Sequence, residues 1–298
     1  MIFNASRFSS ITNVLRRFVS SEQSLKELIV EPLTGKDSGI LILGLNRVKQ
    51  KNAISKNLLD SLENAIEKVN NDNTVRVVII RSYVPRVFCA GADLKERLTM
   101  TEADVRIFVN RIRKFMTSLE NVKAPVISAI DGAALGGGLE MALATDIRVA
   151  SENAKIGLVE TSLAIIPGAG GTQRLPRIIG VARAKELIFT ARILSGREAE
   201  EFGIVNYCVP TNEENDGAFI KSLQIARLIQ KNGPVGVRMS KLAINKGCDT
   251  NLNGGCLVEE LCYSQVIPTR DRIEGLKAFQ EKGNLYTKEN NILTRVTM

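Results

Sequence analysis

Residues 125–151 read PVISAIDGAALGGGLEMALATDIRVAS, and the order of signals within them decides the fold. PVISAID has the short apolar run of a buried strand, the glycines at 136–138 open a helical pattern, and DIRVAS returns to strand. Upstream, the same alternation is made twice. LIVEPL and GILILGL are β-type runs followed by a helix from about Ser55 to Val69, with Leu58, Leu59, Leu62, Ala65, Ile66 and Val69 on one stripe. VRVVIIR and the short run Val87–Cys89 precede a helix opened by Thr101, with Asp104 three residues on as a capping box. The expected class is α/β, a succession of β-β-α units repeated in structure without being repeated in sequence. Downstream, the β signal stops near Asp216. Four helical patterns follow, near 217–230, 234–246, 253–266 and 270–281. The chain therefore divides into a core at 26–215, a helical domain at 216–283 and a loosely held polar tail at 284–298.

The 298 residues are 44% hydrophobic and 24% charged, a balance that excludes disorder and coiled coil. There is no histidine. That removes the usual general base, the Ser-His-Asp triad and nearly all zinc or iron sites, so chemistry must fall to other groups. Cys89, Cys208, Cys248, Cys256 and Cys262 are odd in number and form no CxxC pair, so neither a disulfide framework nor a metal site is expected. The formal charge is +8, but Arg7, Arg16 and Arg17 lie in a leader without acids, and the remainder carries +5. Such an excess suits an anionic small molecule and is too diffuse to indicate nucleic acid. The leader, MIFNASRFSSITNVLRRFVSS at 1–21, is rich in Ser and Arg with apolar residues at roughly helical spacing, the composition of a mitochondrial transit peptide. The longest apolar stretch, 126–150, is interrupted by Asp131, Glu140, Asp146 and Arg148, so no membrane span is expected.

Three segments can carry chemistry. Phe88-Cys89-Ala90-Gly91-Ala92-Asp93 is a run of small residues straight after a strand, where exposed backbone N–H groups can bind an oxygen; a tight turn that requires glycine is the plainer explanation. Ala134–Glu140 places three glycines at a helix start, where unpaired N–H groups and the positive end of the helix dipole converge. Glu140 follows in the first turn, either to complement that dipole or to act chemically. Gly157–Pro167 sets one carboxylate, Glu160, in an apolar stretch. Desolvation there would raise its pKa into the range useful for proton transfer, unless Arg174 or Arg177 pairs with it. No nucleotide-binding loop, GxxxxGK[ST] or complete GxGxxG, surrounds any of these glycines.

In order and spacing, FCAGADLKER, DGAALGGGLEMALATDIRVA and GLVETSLAIIPGAGGTQRLPR resemble the motifs of the enoyl-CoA hydratase/isomerase (crotonase) superfamily, and the likeness runs from about residue 28 to about 282. The resemblance implies a spiral of β-β-α turns followed by a helical trimerisation domain, with trimers commonly pairing into hexamers. It implies an acyl-CoA substrate, with coenzyme A as part of that substrate and no separate cofactor or metal. Carried over by position, the backbone N–H groups of Ala90 and Gly137 form an oxyanion hole for the thioester carbonyl. Ala90, Gly91, Ala92 and Asp93 line the coenzyme A site, Glu140 and Glu160 are the acid/base carboxylates, and Phe279 and Lys282 reach a neighbouring subunit's coenzyme A. Many isomerases of the superfamily keep only one of the two carboxylates, so retention of both favours water addition over isomerisation.

LVETSLAIIPG, AKELIF and IPTRDRIEGLKAF are similar to a mitochondrial branch that hydrates 3-methylglutaconyl-CoA in leucine breakdown, which implies a matrix enzyme with that substrate. A short-chain enoyl-CoA is the alternative. RNA-binding relatives carry a row of lysines on one helix, whereas the matching stretch here, Lys56 to Asn64, has one Lys and two acids, which argues against RNA binding. A second carboxylate on the substrate would call for a cation in the pocket. Lys95 and Arg97 lie just beyond Asp93; a solvated helix start accounts for them equally well.

Overall fold

The computed structural model describes residues 26–281, together with 285–287 and 294–296. The leader at 1–21 and Lys282 lie outside the described residues. The chain opens with β1 (Leu28–Pro32), β2 (Ile40–Leu45) and helix α1 (Lys56–Asn71). The next pass is β3 (Val77–Ser82), β4 (Val87–Cys89), the one-turn helix α2 (Leu94–Arg97) and α3 (Glu102–Glu120). A third comprises β5 (Val126–Ile130), β6 (Ala133–Leu135) and α4 (Gly137–Leu143). The fourth has β7 (Ile147–Ser151), β8 (Lys155–Gly157), a 3-10 turn at Glu160–Leu163, α5 (Gly171–Ile179) and α6 (Val181–Phe189). The core is completed by β9 (Leu194–Ser195), α7 (Gly196–Glu201), β10 (Tyr207–Val209) and α8 (Gly217–Gln230). Helices α9 (Pro234–Gly247), α10 (Leu252–Val266) and α11 (Arg270–Gln280) follow.

From the second pass onward, the first strand of each pass joins one sheet and the second strand joins another. The larger sheet has the order β1-β2-β3-β5-β7-β10, parallel except for the β1–β2 pair. The smaller has the order β4-β6-β8-β9, parallel except at β9. Alternate side chains of the large sheet serve two apolar cores. Leu43, Val78 and Ile80 pack inward with Leu58, Leu59 and Leu62 of α1 and Phe115 of α3, whereas Ile42, Val77, Ile79 and Ile127 pack under Phe219, Leu223 and Ala226 of α8. Burial on both faces is why VRVVIIR and PVISAID read as nearly continuous apolar runs.

The helical patterns after Asp216 consequently divide, because α8 covers the large sheet and α9–α11 leave it. Helices α9, α10 and α11 bury only Pro234, Cys262, Asp271 and Ala278, while Ile244, Leu257, Leu261, Tyr263 and Leu276 are exposed. Lys241 ties α9 to the core by donating to Asp146 at 2.7 Å. The tail differs from a loose segment: β11 (Leu285–Thr287) pairs antiparallel with β12 (Thr294–Val296), where the sequence supplies Tyr, Thr and Val, residues that favour strands. No helix among the described residues is long and apolar enough to cross a membrane.

Candidate active site

Strands β4, β6 and β8 are adjacent and parallel, with Cys89 aligned on Ala134 and Leu135 on Gly157. Their C-terminal ends therefore release Ala90–Ala92, Gly136–Gly138 and Leu158–Glu160 side by side, where loops of a parallel sheet gather functional groups. Two glycines make this closeness possible. A Cβ on Gly138 would run into the Cys89 carbonyl, and Gly91, at φ +96°, would put one 2.9 Å from the Leu135 oxygen. The glycine turn read from sequence is correct, and it serves to bring two loops into contact.

The N–H groups of Ala92 and Gly137 have no acceptor among the described residues. They are neighbours, since a Cβ built on Gly137 would stand 3.5 Å from the Ala92 nitrogen. Ala90, expected as the first oxyanion donor, is instead committed: its N–H donates to the Lys51 carbonyl at 3.1 Å. The Gly91 carbonyl accepts from the Ile54 N–H at 2.7 Å, so the trans peptide turns the Ala92 N–H the opposite way and leaves it as the free donor beside Gly137. Asp93 also differs from the expectation that it lines the coenzyme A site. Its buried carboxylate caps α2 by accepting from the N–H of Lys95 and Glu96, and it pairs with Arg47 at 2.6 Å. Although burial opposes ionisation, the Arg47 hydrogen bond and these N–H groups hold the Asp93 carboxyl below its usual pKa.

Glu140 and Glu160 are both buried, 3% and 8% exposed, and both face one cavity. Glu140 stands in the first turn of α4, yet its partners lie elsewhere: Oε1 accepts from the N–H of Ala169 and of Gly171, each at 2.8 Å, at the start of α5. That loop is held by Arg113, which donates to the Gly168 carbonyl at 2.9 Å. Burial raises the Glu140 pKa while these two N–H groups oppose the rise. Among the described residues, Glu160 forms no ion pair. Arg174 pairs with Glu120 and Arg177 donates to the Gln173 carbonyl, so the ion-pair alternative for Glu160 is absent. Its Oε2 is buried without a hydrogen bond. Burial, and then the nearby charge of Glu140, push its pKa up to about 7.

The cavity is lined by the apolar side chains of Ile54, Leu94, Val109, Ile112, Leu163, Ile165 and Ile166, together with Ala90, Gly91, Ala92, Gly136, Gly137 and Arg97. Polar groups thus converge in apolar surroundings, which strengthens every electrostatic interaction there. Phe279 is 69% exposed on α11 and does not line this cavity. No group of three or more Cys, Asp or Glu side chains arranged to hold a metal ion occurs among the described residues. The sequence offers Arg97 as one of two cations near the site, but it carries no motif for the N–H cradle of Ala169 and Gly171. Only the glycines of PGAGG hinted at backbone so accessible.

Repeated strand–strand–helix passes that feed two sheets, with three adjacent strand ends gathered around the site, form the crotonase fold. A crystal structure of an enoyl-CoA hydratase from Bacillus anthracis superposes with a TM-score of 0.83 at 47% identity, covering 88% of this chain and 99% of that one. The chain belongs to the enoyl-CoA hydratase/isomerase family, whose sequence pattern matches residues 35–290. It is 53% identical over 268 residues to the mitochondrial methylglutaconyl-CoA hydratase of Homo sapiens, spanning 90% of this chain and 79% of the relative. A probable mitochondrial enoyl-CoA hydratase 2 of Arabidopsis thaliana is 52% identical over 256 residues, 86% of this chain and 84% of that protein.

Proposed function

We propose that the protein is an enoyl-CoA hydratase of the mitochondrial matrix that adds water across the α,β double bond of 3-methylglutaconyl-CoA. The observation that carries the hydratase reading is the pair of buried carboxylates in unequal environments beside two unengaged backbone donors. The 53% identity to a methylglutaconyl-CoA hydratase supports the substrate, and the Arg- and Ser-rich leader supports the compartment.

The thioester oxygen accepts from the N–H of Ala92 and Gly137. As water attacks Cβ, electron density moves to that oxygen, and fixed donors in a dry pocket stabilise the enolate-like state without reorganising. Glu140, held as an acceptor by Ala169 and Gly171, takes a proton from the water. Glu160, whose raised pKa keeps a proton available near neutrality, delivers one to Cα. Hydroxyl is added at Cβ and hydrogen at Cα, and one proton passes between the two carboxylates to reset them. Coenzyme A is part of the substrate, and the chemistry calls on no separate cofactor.

Assembly as a homotrimer, or a pair of trimers, is supported by the exposed apolar side chains of α9–α11. Phe279, exposed on α11, and Lys282 then serve a neighbouring subunit's coenzyme A. RNA binding by α1 is not part of this reading, since its acids Asp60 and Glu63 both engage Arg111 of α3. The deciding experiment is a hydration assay across 3-methylglutaconyl-, crotonyl- and longer enoyl-CoA thioesters. The first should give the highest kcat/KM. Turnover confined to crotonyl-CoA would reassign the substrate, and double-bond migration without hydration would replace the reaction.

A further inference from the structure

Arg97 ends the one-turn helix α2 and lines the active cavity, whereas Lys95, two residues earlier, is exposed and does not. Among the described residues, the Arg97 guanidinium makes no ion pair or hydrogen bond, and its Nε is buried without a partner. Its mount is rigid, because Asp93 caps α2 and is itself locked to Arg47. The wall around it is apolar, including Leu94, Val109, Leu163 and Ile166. A half-buried arginine whose Nε is buried without a hydrogen-bond partner is unfavourable there, and an arriving anion would relieve it.

The resident acids do not supply that anion. Arg97 and Glu160 form no ion pair, although the Arg97 charge acts on Glu160, while Arg174 and Arg113 act on Glu140. Arg97 therefore faces the cavity from the Glu160 side with its donors unspent. A guanidinium presents paired N–H groups that match a carboxylate in two parallel hydrogen bonds, which a lysine does not do.

We propose that Arg97 is the specificity-determining residue of this site, receiving a carboxylate at the far end of the substrate's acyl chain. The site then prefers enoyl thioesters that carry a second carboxylate over neutral ones of the same size. This inference rests on the hydratase reading.

The test compares kcat/KM for 3-methylglutaconyl-CoA and 3-methylcrotonyl-CoA, which differ by that carboxylate alone, in the full-length wild type, R97M and R97K. The wild type should prefer the diacid. In R97M that preference should fall by about tenfold to a hundredfold, mainly through KM, with R97K in between. Inhibition by glutaryl-CoA against butyryl-CoA reads the same preference without turnover and should weaken for glutaryl-CoA selectively. Equal losses on both thioesters in R97M would place Arg97 on the coenzyme A phosphates and overturn the proposal. So would a displaced pH profile with unchanged preference, since Arg97 would then act only by tuning Glu160. A wild type that hydrates both thioesters without preference overturns it while leaving the hydratase reading intact. Hydration of neither removes both. If R97M fails to assemble, R97K and R97Q carry the comparison.

Discussion

Glu160 and Glu140 occupy the same cavity with opposite supports, and the difference sets the pH behaviour. Glu140 has two N–H donors, whereas Glu160 has a buried, unpartnered oxygen and a pKa pushed up to about 7 by burial and the Glu140 charge. Acting as the proton donor, Glu160 must be protonated, so hydration kcat/KM should fall as pH rises through about 7. A Glu→Gln change at either position keeps size and loses proton transfer, and kcat should drop by roughly 10²- to 10⁴-fold with coenzyme A affinity retained. Stability follows the sign of the shift. The folded state keeps the Glu160 proton at pH values where the unfolded chain has lost it, so stability declines as pH rises from the ordinary glutamate range towards 7. E160Q removes this decline. Its unfolding free energy should match the wild type near pH 4 and exceed it at pH 8 by up to about 3 kcal/mol, measured by denaturant titration. Equal curves at both pH values would contradict the buried, unpaired state of this carboxyl.

At the scale of elements, α9 is held to the core by Arg238, which donates to the carbonyls of Asn73 and Val75, by Asn245, which donates to the Glu120 carbonyl, and by the buried Lys241. Lys241 is mostly buried and donates to Asp146, which also accepts from the Val126 N–H at 2.6 Å. Burial lowers the Lys241 pKa and the Asp146 charge counters it. D146A leaves the lysine without its counter-ion, holding only the Ala124 carbonyl, and should destabilise by about 3 kcal/mol, a loss that the double variant D146A/K241M should partly reverse in urea unfolding. An undiminished midpoint in D146A would show that the contact is solvated. Much of this level was legible beforehand. The stripe from Leu58 to Val69 is buried residue for residue in α1, and Thr101 and Asp104 form the capping box expected of them. Helices α5 and α6 are not legible in the sequence, because each is nine residues long, Pro176 stands inside the first, and Gly180 at φ +86° separates them. Patterns so brief do not sustain a helical period. At the site, sequence placed the three segments but not their pointing direction. Whether Ala90 or Ala92 offers its N–H depends on the carbonyl of Lys51, and whether Lys95 or Arg97 enters the cavity depends on the angle of one helical turn. Residues remote in sequence fix both.

At the scale of the whole molecule, the three helices α9–α11 carry apolar residues out of proportion to what one chain buries. Leu257 and Leu261 on α10 are 62% and 69% exposed, with Tyr263 and Ile267 nearby. Exposed patches of this kind belong to interfaces. L257E with L261E should therefore shift the sedimenting species to the mass of one chain while the core keeps its circular dichroism. A variant of unchanged mass would move the interface away from α10.

The backbone donors of the site have a consequence for how the gene tolerates change. Where an amide does the work, the identity of the side chain is nearly irrelevant and its volume is what matters. A deep mutational scan read out by hydratase turnover should thus give three different tolerance spectra within a few residues. Ala92 and Gly137 should accept small side chains of any polarity and reject proline, which lacks the donor. Gly138 should reject even alanine, because the Cys89 carbonyl occupies the space of its Cβ. Glu140 and Glu160 should reject their own isosteres. Drift along a lineage would leave the oxyanion hole chemically anonymous while freezing the glycine that braces it.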